Sequence, residues 1–294
     1  MRIVPLRSES IEQKALALTV LDRSWGGARM DMSLSDRALG VIAPQGVAWQ
    51  AEPIQGLIKL AEHVEQDGAL RAKVGAELLY HNRQHVHDVL RALSLLFEVT
   101  GPIITAQDRY VLVLAMVAHD LGHEGLPNQF ARQLERQSWA LIEEILSSFA
   151  LGRGQRWMAR AVILCTDPQF YPQLMSRDRS GRLIQAICLA VDADLFASLL
   201  PSYGFERGAR LGDEQMAAGI AAAEGFKSLA GRAMFLKSVP LLSDAAQNLG
   251  MARLIAAQLA VIASLGDEER ARPWSEDWGS WFAEQVSLAL AGDL

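Results

Sequence analysis

The sequence predicts an all-α fold, a compact bundle of many helices. From Pro53 onward, apolar residues recur at intervals of three and four, which is the pattern of amphipathic helices. The ten prolines fall mostly between these segments and not inside them. No run of β-branched residues with a two-residue period rivals the helical segments. We therefore expect helices throughout, joined by turns that contain proline and glycine.

The helices follow one another from residue 53 to the end of the chain. Their predicted ranges are 54–64, 78–96, 105–120, 133–149, 155–165, 183–200, 213–236 and 244–265. Thr100-Gly101-Pro102 closes the second of these helices, Thr105 is the candidate N-cap of the third, and Pro201 stops the sixth. We predict residues 201–212 as a loop long enough to border a pocket.

The first 50 residues carry the weakest pattern. Trp25-Gly26-Gly27 and Pro44-Gln45-Gly46 predict turns, with short helices between them. We predict that residues 1–50 form an N-terminal extension that packs on a main domain of residues 51–294.

Composition and charge limit the classes of partner. The chain has 294 residues, of which 50% are hydrophobic and 21% charged, so a substantial core is expected. The net charge is −6 and no basic run is present, which argues against nucleic acid or an anionic membrane as partner. Residues 1–13 lack an export signal, and the uninterrupted apolar run 110–118 is shorter than the roughly 20 residues that cross a bilayer. Cys165 and Cys188 fit no metal-ligand spacing and suggest a reducing compartment, so we expect a soluble, cytoplasmic protein.

Two dense polar clusters lie within the apolar helical sequence. Residues 80–89 read Tyr-His-Asn-Arg-Gln-His-Val-His-Asp-Val, and residues 118–128 read Ala-His-Asp-Leu-Gly-His-Glu-Gly-Leu-Pro-Asn. The clusters contain five of the six histidines, and only His63 lies elsewhere. We interpret the clusters as two walls of one metal site.

Spacing supports a metal site. If both clusters are helical, His81 and His85 share a face, as do His119 and His123, because residues four apart point the same way. Adjacent His119 and Asp120 are then about 100° apart and can reach one ion. Imidazole and carboxylate ligands suit Zn, Mn, Fe or Mg. A lone His-Asp pair is usually a simple hydrogen bond, but four histidines and an aspartate at these offsets favour a metal.

The clusters resemble the signature of class I cyclic nucleotide phosphodiesterases, within the HD superfamily of metal-dependent phosphohydrolases. The matching patterns are Tyr-His-Asn-x-x-His-x-x-Asp-Val and His-Asp-x-x-His-x-Gly-x-x-Asn. The resemblance extends to Leu134-Glu135, to residues 163–167 and to Ala193-Asp194-Leu195, and so spans residues 75–240. It implies an HD-domain bundle of the bacterial phosphodiesterase type, with residues 51–294 as the catalytic domain.

The resemblance implies two divalent metal ions (Zn, Mn, Mg or Fe) as cofactors and a small phosphoester, a 3′,5′-cyclic nucleotide, as substrate. The first metal would be bound by four residues: His85, His119, Asp120 and Asp194. Asp120 would bridge to the second ion, with His123 and Glu135 ordering the water around it. The two ions would clamp the phosphate and bridge the attacking hydroxide. His81 would be the general acid for the O3′ leaving group, because the ordinary histidine pKa lies near working pH.

The last metal ligand and the role of His87 each leave an alternative open. Asp192 and Asp194 lie two residues apart, so only one is expected to bind metal. The match to Ala-Asp-Leu favours Asp194, and Asp192 remains an alternative. His87 points away from His85 on a helix, so an exposed or structural role is expected for it.

The substrate pocket departs from the family pattern. Its candidate residues are Asn82, Asp167, Arg232 and Phe235. Asn82 and Asp167 have structural alternatives, Asp167 as a cap for the turn before Pro168. Ala197 stands where the family has a nucleotide-binding Asn, and Arg232 stands where it has a base-reading Gln, three residues before the aromatic clamp Phe235. Arginine offers donors and no acceptor, so it cannot pair with a base as an amide does.

Three functional hypotheses follow. The favoured one is hydrolysis of cyclic nucleotides, and the second is an HD phosphohydrolase of another class, such as a nucleotidase, a nucleoside triphosphohydrolase or a cyclic dinucleotide phosphodiesterase. The third is a catalytically silent ligand-binding module. A final aromatic stripe is typical of a core or a dimer contact, which leaves a homodimer open: Trp274, Trp278, Trp281 and Phe282.

Overall fold

The computed structural model describes residues 9–25, 32–45, 51–149 and 151–292. In chain order its α-helices are α1 (Ile11–Trp25), α2 (Leu34–Ile42), α3 (Ala51–Lys73), α4 (Arg83–Val99), α5 (Ala106–Met116), α6 (Gln133–Leu146), α7 (Arg153–Leu164), α8 (Tyr171–Met175), α9 (Arg182–Leu199), α10 (Pro201–Ala217), α11 (Leu229–Ser238), α12 (Asp244–Asn248), α13 (Met251–Ser264), α14 (Asp267–Ala271) and α15 (Glu276–Ala291). Short 3-10 helices cover Ala43–Gln45, Pro168–Phe170 and Ala221–Lys227. Within these described ranges the β-structure is limited to one isolated bridge between Ser228 and Pro273, so the all-α prediction is confirmed.

The chain divides into two compact units. The central unit is Met30–Asp194, and the terminal unit combines Met1–Arg29 with Leu195–Leu294. The divisions between the units fall after Arg29 and after Asp194, and the N-terminal extension of residues 1–50 stays a prediction. The two turns predicted in this region lie partly outside the described residues, because Gly26, Gly27 and Gly46 are not among them.

In the central unit, α5 is the buried core helix. It contacts α2, α4 and α7, and every residue from Tyr110 to Ala118 is buried. The apolar run in the sequence therefore marks the centre of this unit. Thr105 begins α5 with a reciprocal capping box, in which its side chain accepts from the backbone of Asp108 and Asp108 accepts from the backbone of Thr105. The predicted N-cap is confirmed.

In the terminal unit, α1, α10, α13 and α15 pack against one another. The aromatic stripe contributes to this core, since Trp278 and Phe282 are buried and Trp281 stacks on Trp278 at 4.4 Å.

Across the part of the chain that the structure describes, no single helix has both the length and the apolar composition needed to cross a bilayer. Among the described helices, one pair, α9 and α10, has the length and apolar composition when taken together, but the pair is bent at its junction.

Three predicted segments are wrong. Residues 201–212 form the first part of α10 and not a loop, because Pro201 occupies the first helical turn, where proline is favoured. The predicted helix 213–236 is broken between α10 and α11, where Gly219 has a φ of +88°. The predicted helix 244–265 is interrupted at Gly250, whose φ of +81° ends α12 before α13 begins.

Candidate active site

The two histidine clusters lie at the ends of two neighbouring helices of the central unit. His85 lies in the first turn of α4, and Asn82 precedes that helix as its N-cap. His119 and Asp120 follow the end of α5 at Met116 and lie in a turn. The assumption that each cluster is continuous helix is therefore wrong: His81 precedes α4, and the segment 119–123 is not helical. Packing of α4 against α5, and not helical periodicity within each cluster, brings the histidines together.

Four ligand atoms converge at this end of the central unit. Nε2 of His85 lies 2.9 Å from Oδ1 of Asp194 and 3.4 Å from Oδ2 of Asp120. Nε2 of His119 lies 3.2 Å from each of the same two oxygen atoms. Asp194 reaches this point from α9, while Asp192, two residues earlier, is buried. The structure therefore assembles the four residues proposed as metal ligands and favours Asp194 over Asp192.

Hydrogen bonding prepares His119 to bind a cation. Its Nδ1 lies 2.9 Å from the carbonyl oxygen of Met116, which can only accept, so Nδ1 carries the proton and Nε2 presents a lone pair. With its proton on Nδ1, neutral His119 has none on Nε2 to donate to the carboxylate oxygens 3.2 Å away, so buried Nε2 and buried Oδ2 of Asp120 form no hydrogen bond in that tautomer. Buried polar atoms are nearly always paired. A divalent cation between these atoms would satisfy both, and the nitrogen and oxygen donors fit Zn, Mn, Fe or Mg.

The electrostatics of the cluster point the same way. Burial disfavours the charged form of His119, but the carboxylates of Asp120 and Asp194 outweigh it and raise the His119 pKa well above its usual value. Burial likewise raises the pKa of Asp194, but His119 and His85 lower it to about 2. The two carboxylates thus create a strongly cation-attracting position, which either a proton on the imidazole or a metal ion can fill.

His81 and His123 form a stacked pair beside these four residues. Their ring centroids are 3.9 Å apart and the rings are inclined by only 16°. Nδ1 of His123 accepts a hydrogen bond of 2.9 Å from the backbone N–H of Gly125, so neutral His123 carries its proton on Nε2. Both rings line a cleft together with Asp120. The structure thus places the proposed general acid and His123 side by side.

Glu135 is held by the loop that follows the second cluster. Nδ2 of Asn128 donates to both carboxylate oxygens of Glu135 at 3.1–3.2 Å, and Oδ1 of Asn128 accepts from the backbone of Leu134. Burial raises the pKa of Glu135; the hydrogen bond from Asn128 opposes this shift, and the nearby charges of Asp167 and Asp120 add to it. Asn128 thus joins the loop after the second cluster to the start of α6.

Asn82 and Asp167 use their polar atoms on the backbone of the central unit. Oδ1 of Asn82 accepts from the N–H of His85, and its Nδ2 donates to the carbonyls of Leu78 and Leu79. Asp167 is buried, and its two oxygens accept from the backbone of Arg132 at 2.7 Å and of Gln169 at 2.9 Å. These contacts favour a structural role for Asn82 and Asp167 over contact with a substrate.

Arg232 is a buried hydrogen-bonding residue of the terminal unit. Its guanidinium donates to the carbonyls of Ser198 and Leu200 and to the side chain of Gln258, and only 4% of the residue is exposed. Phe235 lies on the same helix, α11, and is half-buried, whereas Ala197 is buried in α9. This arrangement favours a structural role for Arg232.

Two further basic residues lie beside the histidines, and the sequence did not predict a role for them at this site. Arg71 of α3 donates to the backbone carbonyl of His123, and Arg83 pairs with Glu77 and Glu65. No sequence signal marks Arg71, because a basic residue in the last turn of an amphipathic helix is common. Of the two roles expected for His87, exposed or structural, its burial leaves the structural one. Burial, together with the charges of Arg37 and Arg83, lowers the pKa of His87 to about 4.

Comparison with known proteins agrees with this geometry. Residues 80–148 match the family model described as 3′5′-cyclic nucleotide phosphodiesterase. The matched segment is less than half of the chain, but it contains both histidine clusters and Glu135, while Asp194 and the terminal unit lie outside it. No curated protein sequence matches the chain. Residues 80–148 are therefore similar to the class I cyclic nucleotide phosphodiesterases, and this similarity supports a hydrolase of the phosphodiesterase type.

Proposed function

We propose that the protein hydrolyses a 3′,5′-cyclic nucleotide to the nucleoside 5′-monophosphate in a metal-dependent reaction. The observation that carries the proposal is the convergence of four buried or mostly buried ligand groups, three of them within the matched segment: His85, His119, Asp120 and Asp194. A phosphodiesterase segment implies a small phosphoester substrate. Divalent ions bound by these residues would neutralise the phosphoryl oxygens and supply an activated water.

His81 is the proposed general acid. As water adds to phosphorus and the bond from phosphorus to O3′ breaks, the leaving alkoxide needs a proton, which the imidazolium of His81 provides. Stacking on His123 supports this role, because it restricts the orientation of the His81 ring. His123, through its Nε2–H, and Glu135 would hydrogen-bond to water around the ions.

Recognition of the base is the part of the proposal in which this chain departs from the family pattern. Phe235 remains the proposed aromatic contact for the base. Arg232 directs its donors to backbone carbonyls and Gln258, and Ala197 has no amide, so neither supplies the polar contact that the family pattern places there. These two positions favour, as a second candidate, an HD-type phosphohydrolase acting on another phosphoester, such as a nucleoside mono- or triphosphate or a cyclic dinucleotide.

Product analysis separates these functions. Purified protein is given cyclic mononucleotides, cyclic dinucleotides and nucleoside mono- and triphosphates, with Mn²⁺, Mg²⁺ or Zn²⁺ and with chelator. We expect metal-dependent conversion of a cyclic mononucleotide to the 5′-monophosphate, with no turnover by Asp120→Ala. Turnover of mono- or triphosphates alone would replace the first candidate by the second. Stoichiometric metal binding without turnover of any phosphoester would contradict both.

The His81→Ala variant tests the leaving group independently. Loss of a general acid costs about 10²–10⁴-fold in kcat when the leaving group is an alkoxide. A pyrophosphate leaving group needs no such proton, so the same variant would then be nearly silent. The metal content of the variant, measured by mass spectrometry, should match that of the wild type, because His81 is not a proposed ligand.

A further inference from the structure

The helix α3 borders the cleft that contains the stacked histidines. The cleft is lined from α3 by Asp67, Gly68 and Arg71, and from the two clusters by His81, Arg83 and His123. Neither histidine of the stack lies in a helix, since His81 precedes α4 and His123 lies in a turn that begins where α5 ends. The relative position of these two non-helical segments therefore sets the 3.9 Å stack of the two rings.

Arg71 holds the second cluster from α3. Its Nη1 donates a 2.9 Å hydrogen bond to the backbone carbonyl of His123, and its Nε pairs with Oδ2 of Asp67 at 2.8 Å. Asp67 lies one turn earlier on the same helix, so the guanidinium is fixed in direction by its own helix. The turn it contacts contains Gly122 and Gly125, both with positive φ, and has no helical ladder of its own. Arg71 therefore ties this turn to a rigid 23-residue helix.

Arg83 holds the first cluster to the same helix. It forms a forked pair with Glu77, at 2.7 Å and 3.0 Å, and its Nη1 reaches Glu65 of α3 at 3.3 Å. The pair with Glu77 closes the loop that carries His81. The side chain of Arg83 crosses α3 at Gly68, where an added Cβ would lie 2.5 Å from its Cγ and Cδ atoms. Glycine at this position is thus required for the close approach.

We propose that Arg71 and Arg83 are positioning residues, through which α3 sets the geometry of the His81–His123 pair. The proposal rests on the proposed function of His81 as general acid. Each guanidinium is paired with carboxylates, Arg71 with Asp67 and Arg83 with Glu77 and Glu65, so the two residues act by fixing backbone and not by attracting a phosphate. Loss of an arginine that binds the ground state and the transition state equally raises KM alone, whereas loss of a positioning residue lowers kcat.

Two variants break the two contacts separately. Arg71→Met removes the donor to His123, and Gly68→Ala displaces Arg83. For each we expect kcat to fall about 10–100-fold, the usual effect of losing a residue that orients a catalytic group, with KM little changed. Arg71→Lys keeps the positive charge but lacks the forked guanidinium that binds Asp67 and the carbonyl of His123 together. Its kcat should therefore lie between those of the wild type and Arg71→Met.

Matched controls come from the same unit. Lys59→Met removes an exposed ion pair with Glu62 on α3 itself. Gly40→Ala places a Cβ inside α2, where nothing lies within 4 Å. Both controls should retain the kcat and KM of the wild type.

Nuclear magnetic resonance of the histidine rings tests the proposal without substrate. In Zn²⁺-loaded full-length protein with ¹⁵N-labelled histidine, the ring signals of His81 and His123 should shift in Arg71→Met and Gly68→Ala and should overlay those of the wild type in both controls. Unchanged ring signals together with unchanged kcat would overturn the proposal while leaving the proposed function intact. Shifted ring signals in a protein that hydrolyses no phosphodiester would support the positioning contacts and reject the function.

Discussion

Asp22 is a buried carboxylate of the terminal unit that caps the start of α10. Its two oxygens accept from the backbone of Ser202 at 2.8 Å and of Tyr203 at 2.9 Å. Burial raises the pKa of Asp22 to about 6; the two hydrogen bonds and the positive charge of Arg232 oppose this shift without cancelling it. The native state therefore binds a proton at this residue more readily than the unfolded state does.

This shift predicts a pH dependence of stability. Because the folded pKa of about 6 lies above the ordinary value of 3.8, the native state holds more protons between these values, and the free energy of unfolding decreases as pH rises through them. Between pH 5 and pH 8 the contribution of Asp22 should fall by about 1–2 kcal/mol. Chemical denaturation at both pH values checks this against Asp22→Asn, which should lack that part of the decrease. Equal decreases in both proteins would contradict the assignment.

Arg232 offers a second prediction at the scale of a single residue. Arg232→Gln restores the residue type of the family pattern, but it leaves the buried carbonyls of Ser198 and Leu200 without their donors. Each unsatisfied buried acceptor lowers the free energy of unfolding by about 1–3 kcal/mol, so we expect a lower melting temperature. At temperatures where the variant is still folded, its substrate preference should equal that of the wild type. Thermal denaturation and the substrate panel together check this. A stable variant with a new base preference would show that Arg232 contacts substrate.

At the scale of elements, the turn after α5 determines where His119, Asp120 and His123 lie. It contains Gly122, whose φ is +81° and where an added Cβ would lie 2.8 Å from Leu141. A backbone hydrogen bond of 3.0 Å from His123 to the carbonyl of Asp120 closes the turn. The positions of the proposed metal ligands His119 and Asp120 thus depend on a backbone conformation that favours glycine.

Gly122→Ala should weaken both metal binding and turnover. The left-handed conformation costs a residue with a side chain about 1–2 kcal/mol, and the contact with Leu141 adds to this. Isothermal titration with Mn²⁺ should show lower affinity, whereas Gly101→Ala, which meets no atom within 4 Å and needs no positive φ, should behave as the wild type. Wild-type affinity in Gly122→Ala would indicate that the turn adapts at little cost.

At the scale of the whole molecule, the proposed metal ligands join three separate parts of the central unit. They come from α4, from the turn after α5, and from α9. A cation bound there would link these parts in the native state only, because the unfolded chain does not hold the ligands together.

Removal of metal should therefore lower global stability. A ligand that binds only the native state at 100 times its dissociation constant stabilises it by about 2.7 kcal/mol. Differential scanning calorimetry with excess Mn²⁺ and then with chelator should show a fall in melting temperature for the wild type. Asp120→Ala should show little response to either. An equal response of the variant would place the stabilising ion elsewhere.

The sequence by itself determined the all-α class, the capped core helix α5 and which two segments carry the histidine clusters. These features depend on local pattern: Thr105 caps α5 through residues three positions away, and the run 110–118 is apolar throughout. The helical argument for the faces of the histidines was wrong, but the residue types alone, imidazole and carboxylate, indicated groups that could hold a metal ion.

Tertiary structure decided the rest, because the deciding contacts join residues far apart in the chain. Asp194 is favoured over Asp192 by its approach to His85 and His119, Arg232 is committed to carbonyls more than 30 residues away, and Arg71 reaches a carbonyl 52 residues away. Local periodicity carries no information on such contacts, since they depend on how helices pack. Packing determines which polar side chains remain for chemistry and which satisfy the backbone.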